Sequence, residues 1–124
     1  ILKTIEASSS ADFSITKKVT FVYRHFPLSQ IHNKANVAAY AAEAAGKQDK
    51  FWEMTDLLFD NQQTWKESNN PQQEDFVNYA KELKLDLEKF KKDSDSSEVK
   101  NQVAEDLKDA DQMGINSTPT FFLN

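Results

Sequence analysis

VTFVYRHFPL, residues 19–28, decides how the rest of the chain is read. From Val19 to Phe26 β-branched and aromatic residues dominate, and Pro27 ends the run, so the stretch predicts a strand. Apolar side chains fall on both of its faces, Val19, Phe21 and Tyr23 against Val22 and Phe26. A strand apolar on both faces is expected to be covered on two sides, which implies an α/β layer architecture.

Downstream of this strand the periodicity becomes helical. A stretch beginning near Asn33 sets Ala35, Ala38, Ala39, Ala42 and Ala45 on a small-residue face before Gly46, which is expected to close the helix. Asp49 is expected to cap the next helix, whose Phe51, Met54, Leu57 and Leu58 recur at helical spacing. Asn70-Pro71 reads as a cap and first-turn proline ahead of a third stripe, Phe76, Val77, Ala80 and Leu83. Ser96 or Ser97 opens the last helix, striped by Val99, Val103, Leu107 and Ala110, with Gly114 as a left-handed stop. The run KKDSDSSE reads as a solvated connection between helices.

At the two ends the reading changes again. Ile1 to Ala7 place Leu2 and Ile5 on one helical face, and Ser8-Ser9-Ser10 break the pattern, so the chain is expected to begin inside a helix. At the other end Ser117-Thr118-Pro119 interrupts the chain, and Thr120 to Leu123 predict a strand.

Composition narrows the function. Fifteen basic and twenty acidic residues give a net charge of -5, and the Lys residues are interleaved with Asp and Glu, so there is no electrostatic footprint for nucleic acid. No apolar run approaches the ~20 residues of a membrane span, so no membrane insertion is expected, and the N-terminus does not read as a signal peptide. Nine Phe, two Trp and three Tyr in 124 residues supply a modest single core. There is no cysteine, hence no thiolate nucleophile, disulfide or thiolate metal site.

Three segments, in this order, resemble the DsbA-like family of thioredoxin-fold thiol-disulfide oxidoreductases: VTFVYRHFPL with His32 and Ala35 after it, GKQDKFWEMTDLLFDNQ, and DQMGINSTPTFFLN. In that family a strand ending in an Arg-x-Phe-Pro-Leu-like motif enters an inserted helical domain, and the chain returns through a Gly-x-x-x-Thr-Pro-Thr-like loop. Arg24, Phe26, Pro27, Leu28, Gly114, Thr118, Pro119 and Thr120 match those positions. The resemblance implies a thioredoxin-like α/β fold of DsbA type with a helical insertion. By the same resemblance the N-terminal strand and the C-terminal hairpin strand are expected to be missing from this chain, leaving it predominantly helical. Residues 1–30 would form one thioredoxin-like part, 31–114 the insertion, and 115–124 the return.

It further implies a periplasmic or extracytoplasmic enzyme that forms, isomerises or reduces disulfides in other proteins, works with a redox partner protein and needs no cofactor. Its Cys-x-x-Cys motif is expected upstream of Ile1, with ILKTIEA as later turns of the active helix, so this chain alone is expected to be inactive. Ser117, Thr118 and Pro119 are then the substrate-binding residues, with Pro119 in a cis peptide as the family holds it. The strand before that motif would lie between Val19–His25 and Thr120–Leu123. Each is therefore expected to face a vacant position, which homo-association through the unpaired strands, or collapse, would fill.

Two other classes share part of these features. Kappa-type glutathione transferases and related isomerases resemble the fold and insertion, although their signature around the first strand is less like RHFPL. A non-catalytic thioredoxin-fold module fused to another domain, as in some transporter fusions, is the third reading. His25 and His32 match no common metal-ligand spacing, and no carboxylate pair lies near them in sequence, so structural or surface roles are expected. Trp52 reads as a helix-packing aromatic, and the charge-alternating AEDLKDAD as a solvated face.

Overall fold

The computed structural model describes residues 2–5, 19–27, 34–68, 74–117, 120 and 122. Two short strands, β1 (Leu2–Ile5) and β2 (Val19–Val22), precede six helices: α1 (Ala35–Gly46), α2 (Phe51–Asp60), α3 (Gln62–Glu67), α4 (Glu74–Glu82), α5 (Leu87–Ser94) and α6 (Ser97–Gln112).

The strands pair antiparallel in a register that sets Leu2 opposite Val22 and Ile5 opposite Val19. The expected helix at Ile1–Ala7 is therefore corrected to a strand at Leu2–Ile5. A single Leu2/Ile5 pair is too short to fix a helical period, and the β-branched Thr4 and Ile5 favour extended backbone once Val19–Val22 offers a ladder. One edge of β2 is thus taken by the same chain over Val19–Val22. β2 is also shorter than the expected Val19–Phe26. Its partner strand starts at Leu2, opposite Val22, and beyond that point the backbone N–H of His25 donates to the Asp106 carboxylate instead. Cover on two sides is incomplete, since Val22 is exposed. Of the expected strand at Thr120–Leu123, the described residues Thr120 and Phe122 are not in a strand.

The helices enclose the core. Ala38, Ala41, Ala42, Ala44 and Ala45 are buried on α1, and with Ala39 they take up more than the single stripe expected. Small side chains let α2, α5 and α6 approach α1 closely, and Phe51, Met54, Leu58, Trp65, Phe76, Ala80, Leu85 and Phe90 fill the space between. The Trp65 indole N–H donates to the Leu58 carbonyl at 2.7 Å, so this ring is a core element in spite of its polar neighbours in sequence. Trp52 is half-buried, packed edge-on to Phe51 at 5.1 Å, as a helix-packing aromatic would be.

Capping separates the helices. Asp86 accepts from the Lys89 N–H and begins α5, and Ser96 accepts from the Val99 N–H and begins α6, as the sequence predicts for Ser96. KKDSDSSE is not wholly a connection, because Lys91–Ser94 form the last turn of α5. Asp49 does not cap α2; Lys50 occupies that position without a side-chain bond, and Asp49 takes a left-handed φ of 61°. Gly46 is the last residue of α1, although the left-handed position beyond it falls on Asp49. The cap expected at Asn70-Pro71 lies outside the described residues.

Three helices end in the same way. The Lys50, Leu85 and Ile115 N–H groups reach back to the Ala45, Ala80 and Ala110 carbonyls, with Asp49, Lys84 and Gly114 left-handed in between. Only the last of these positions holds glycine, and Lys84, exposed at φ 59°, carries a Cβ that disfavours the conformation. Lys84→Gly is expected to raise stability by about 0.5–1 kcal/mol, relieved strain outweighing the added freedom of the unfolded chain. Urea denaturation checks it: a lower midpoint would show that the Lys84 side chain contributes more than its backbone strain costs.

Candidate functional site

The chain leaves β2 as Tyr23-Arg24-His25-Phe26-Pro27, and this exit is where the strand pair and the helices meet. Asp106 of α6 holds it. Its Oδ2 accepts from the His25 backbone N–H at 3.0 Å and its Oδ1 from Arg24 Nη1 at 3.1 Å, while Gln102 Nε2 lies 3.4 Å from the same Oδ1. The carboxylate is 4% exposed, whereas the Arg24 side chain is 64% exposed. Taking a carboxylate out of water is costly unless several donors meet it, and three do. Arg24 also approaches Asp109 at 3.9 Å, a solvent-screened contact that contributes little.

His25 is anchored a second time. Its ring is buried, Nε2 lies 2.8 Å from Glu43 Oε1 on α1, and the edges of Tyr23 and Phe51 stand 5.3 and 5.8 Å from it. Tyr23 packs in turn against Phe51 and Trp52. Burial, and secondarily the negative charge of Asp106, push the Tyr23 phenol above its ordinary value, which keeps it neutral. Beside this cluster Glu43, Gly46, Lys47, Glu98, Val99 and Gln102 line an open depression of about 220 Å³, bridged by a Lys47–Glu98 ion pair at 2.7 Å.

The anchor corrects two expectations. AEDLKDAD is not wholly a solvated face, because Asp106 within it is among the most buried polar residues described. The spacing holds the signal: positions 99, 103, 106 and 110 form one helical stripe, and Asp106 sits on it. His25 takes the structural role expected, but with two carboxylates around it, Glu43 from 18 residues away and Asp106 from 81. His32 lies outside the described residues. Among the described residues no cluster of three or more His, Asp or Glu side chains could hold a metal ion.

At the far end of α6, Gly114 takes a left-handed φ of 71°, as the stop predicted there requires. The chain turns through Ile115 and Asn116 to an exposed Ser117, whose carbonyl accepts the Thr120 hydroxyl at 2.7 Å. Thr118 and Pro119, with the expected cis bond, lie outside the described residues. The structure therefore brings Arg24, His25, Glu43 and Asp106 together, and sets Ser117 one turn beyond the end of the helix that holds Asp106.

Among the described residues a strand pair, pinned to a helical block by a buried carboxylate, defines an α/β domain that is mostly helical. The family described as Thioredoxin matches residues 9–124, and the chain belongs to that family. It is 42% identical over 106 residues to Na(+)/H(+) antiporter NhaA 1 of Salinispora arenicola, covering 86% of this chain and 15% of that protein. To Na(+)/H(+) antiporter NhaA 1 of Mycolicibacterium vanbaalenii it is 43% identical over 106 residues, covering 84% and 16%. To Na(+)/H(+) antiporter NhaA of Herminiimonas arsenicoxydans it is 39% identical over 103 residues, covering 83% and 15%. The chain thus spans about one sixth of the length of these curated relatives. No solved structure matches. Among the described residues no helix is long and apolar enough to cross a membrane.

Proposed function

We propose that this chain is the greater part of a DsbA-like thiol-disulfide oxidoreductase domain acting outside the cytoplasm on protein thiols or disulfides, in exchange with a redox partner protein. The observation that carries this reading is the connection between two matched motifs. Arg24-x-Phe-Pro leaves β2 with Arg24 and His25 bonded to the helical block, and α6 delivers the chain through a left-handed Gly114 to Ser117. Family membership over residues 9–124 supports a thioredoxin-type chemistry at the coarser level.

The chemistry needs a thiolate that attacks a disulfide sulfur and is released through a mixed disulfide. The 124 residues hold no cysteine, and in this reading the thiolate belongs to a Cys-x-x-Cys motif N-terminal to Ile1. In this reading the Ser117-Thr118-Pro119 loop supplies the opposite wall. Its backbone groups pair with an extended substrate segment while the thiolate reacts.

A second reading is favoured by the names of the relatives. The match covers about one sixth of proteins named Na(+)/H(+) antiporters, which fits a thioredoxin-family module joined to a transporter. Such a module could be redox-active or serve binding alone.

One experiment separates these readings. Insulin reduction and oxidation of a reduced test protein are measured for the 124 residues alone and for the protein extended upstream. The 124 residues are expected to give the blank rate. The extended protein is expected to turn over, and to fall to the blank when its upstream cysteines are replaced by serine. An extended protein without cysteine, or without turnover, would rule out the oxidoreductase and leave the binding module.

A further inference from the structure

We propose that the outer flank of α2, around Phe59, docks a segment of another protein that carries arginine beside an aliphatic residue. The motivating observation is a group of locally unfavourable features on one side of one helix, all relieved by the same kind of partner. Docking there needs no thiol, so it holds whether or not the domain is redox-active.

At 3.6 residues per turn, Trp52, Thr55 and Phe59 fall along one flank of α2, with Asp56 and Asp60 on its outward side. The Phe59 ring is 60% exposed, although this flank borders the stripe of Phe51, Met54 and Leu58 that enters the core. Trp52, two turns earlier, is half-buried. One turn before Phe59, Thr55 is 7% exposed, and its hydroxyl finds no hydrogen-bond partner among the described residues. A helical side chain leans back over the residue four earlier, which sets the Phe59 ring beside Thr55. A buried hydroxyl without a partner costs stability that valine in its place would not.

The charges point the same way. Asp56 and Asp60 are exposed and stand four residues apart, so they repel, and among the described residues no cation pairs with either. Asp60 also ends the helix, where the dipole disfavours a carboxylate, and α2 has no basic residue in its last turn. Lys50, at the other end, is held by Glu53 at 3.5 Å.

An arginine answers these features together. Its planar guanidinium lies flat on an aromatic face while its edge donates to carboxylates, and an aliphatic neighbour covers the rest of the Phe59 ring. With that ring turned aside, the backbone of the same segment reaches the Thr55 hydroxyl, which both donates and accepts. A second copy of this chain is a poor occupant, because self-pairing sets Asp56 and Asp60 against their own copies in a chain of net charge -5.

The test titrates the 124-residue chain with a blocked peptide of three Leu-Arg repeats and follows amide shifts by NMR. Shifts are expected to be confined to residues 52–60, and binding to weaken with salt. Phe59→Ala, and separately Asp56→Asn combined with Asp60→Asn, are expected to weaken binding about tenfold. Glu105→Gln, at an exposed acid on α6, is expected to leave it unchanged. Thr55→Val is expected to raise the urea midpoint of the free chain and yet weaken peptide binding about threefold. A peptide with Glu in place of Arg is expected not to bind. Shifts spread over the other helices, an affinity untouched by Phe59→Ala, or a Thr55→Val chain that binds as tightly as the unsubstituted one would overturn the proposal. So would a dimer that forms through Phe59 without any peptide binding, which would assign the flank to a second copy.

Discussion

Phe51→Ala is expected to cost about 3–5 kcal/mol. The ring is 4% exposed, at the start of α2, and lies edge-on to Tyr23 at 5.6 Å, His25 at 5.8 Å and Trp52 at 5.1 Å. Removing it forfeits the transfer energy of the ring and leaves a cavity whose walls belong to different elements and cannot all collapse into it. It also leaves the His25–Glu43 pair without its apolar wall. Urea denaturation followed by Trp fluorescence and by far-ultraviolet circular dichroism gives the number. A loss below about 1 kcal/mol would mean that the strand exit and the helical block are not one cooperative core.

Overpacking should hurt from the opposite side. Ala44 is fully buried on α1, the helix that α2, α5 and α6 all approach. Ala44→Leu inserts a branched side chain where helix backbones stand close, and is expected to destabilise by about 1–3 kcal/mol or to force α5 away from α1. Half-buried Ala35, at the open end of the same helix, is the control, and Ala35→Leu is expected to change stability by less than about 1 kcal/mol. Equal losses at both positions would show that α1 is not the central helix.

How much of this can be read in the sequence depends on the range of the deciding interaction. The apolar stripes of α1, α2, α4 and α6 and the cap at Ser96 are local, and they are legible. α3 holds one apolar anchor, Trp65, among polar residues, and α5 a single buried one, Phe90, among lysines, so neither presents a period long enough to recognise. Leu2–Ile5 is extended because of a partner strand, Val19–Val22, that lies beyond any local window, and no local pattern announces it. The candidate site divides in the same way. Gly114 is the left-handed stop that its place after the last stripe predicts, while Glu43 and Asp106 are hidden in an alanine-rich stripe and a charge-alternating run. Their roles come from Arg24 and His25, distant in sequence, and only the helical phase of position 106 points to them.

The separation of 82 residues between Arg24 and Asp106 also has a consequence during biosynthesis. A ribosome adds about 5–20 residues per second, so the strand exit emerges about 4–16 s before the carboxylate that will hold it exists. Glu43 and Phe51 arrive earlier and give His25 a provisional seat on α1 and α2. Until α6 is made, the Arg24 guanidinium and the His25 amide have only water to bond, and the apolar run VTFV waits beside them with its ladder to Leu2–Ile5 as cover. The nascent chain is therefore most open to capture by a holding chaperone in the interval that Asp106 closes.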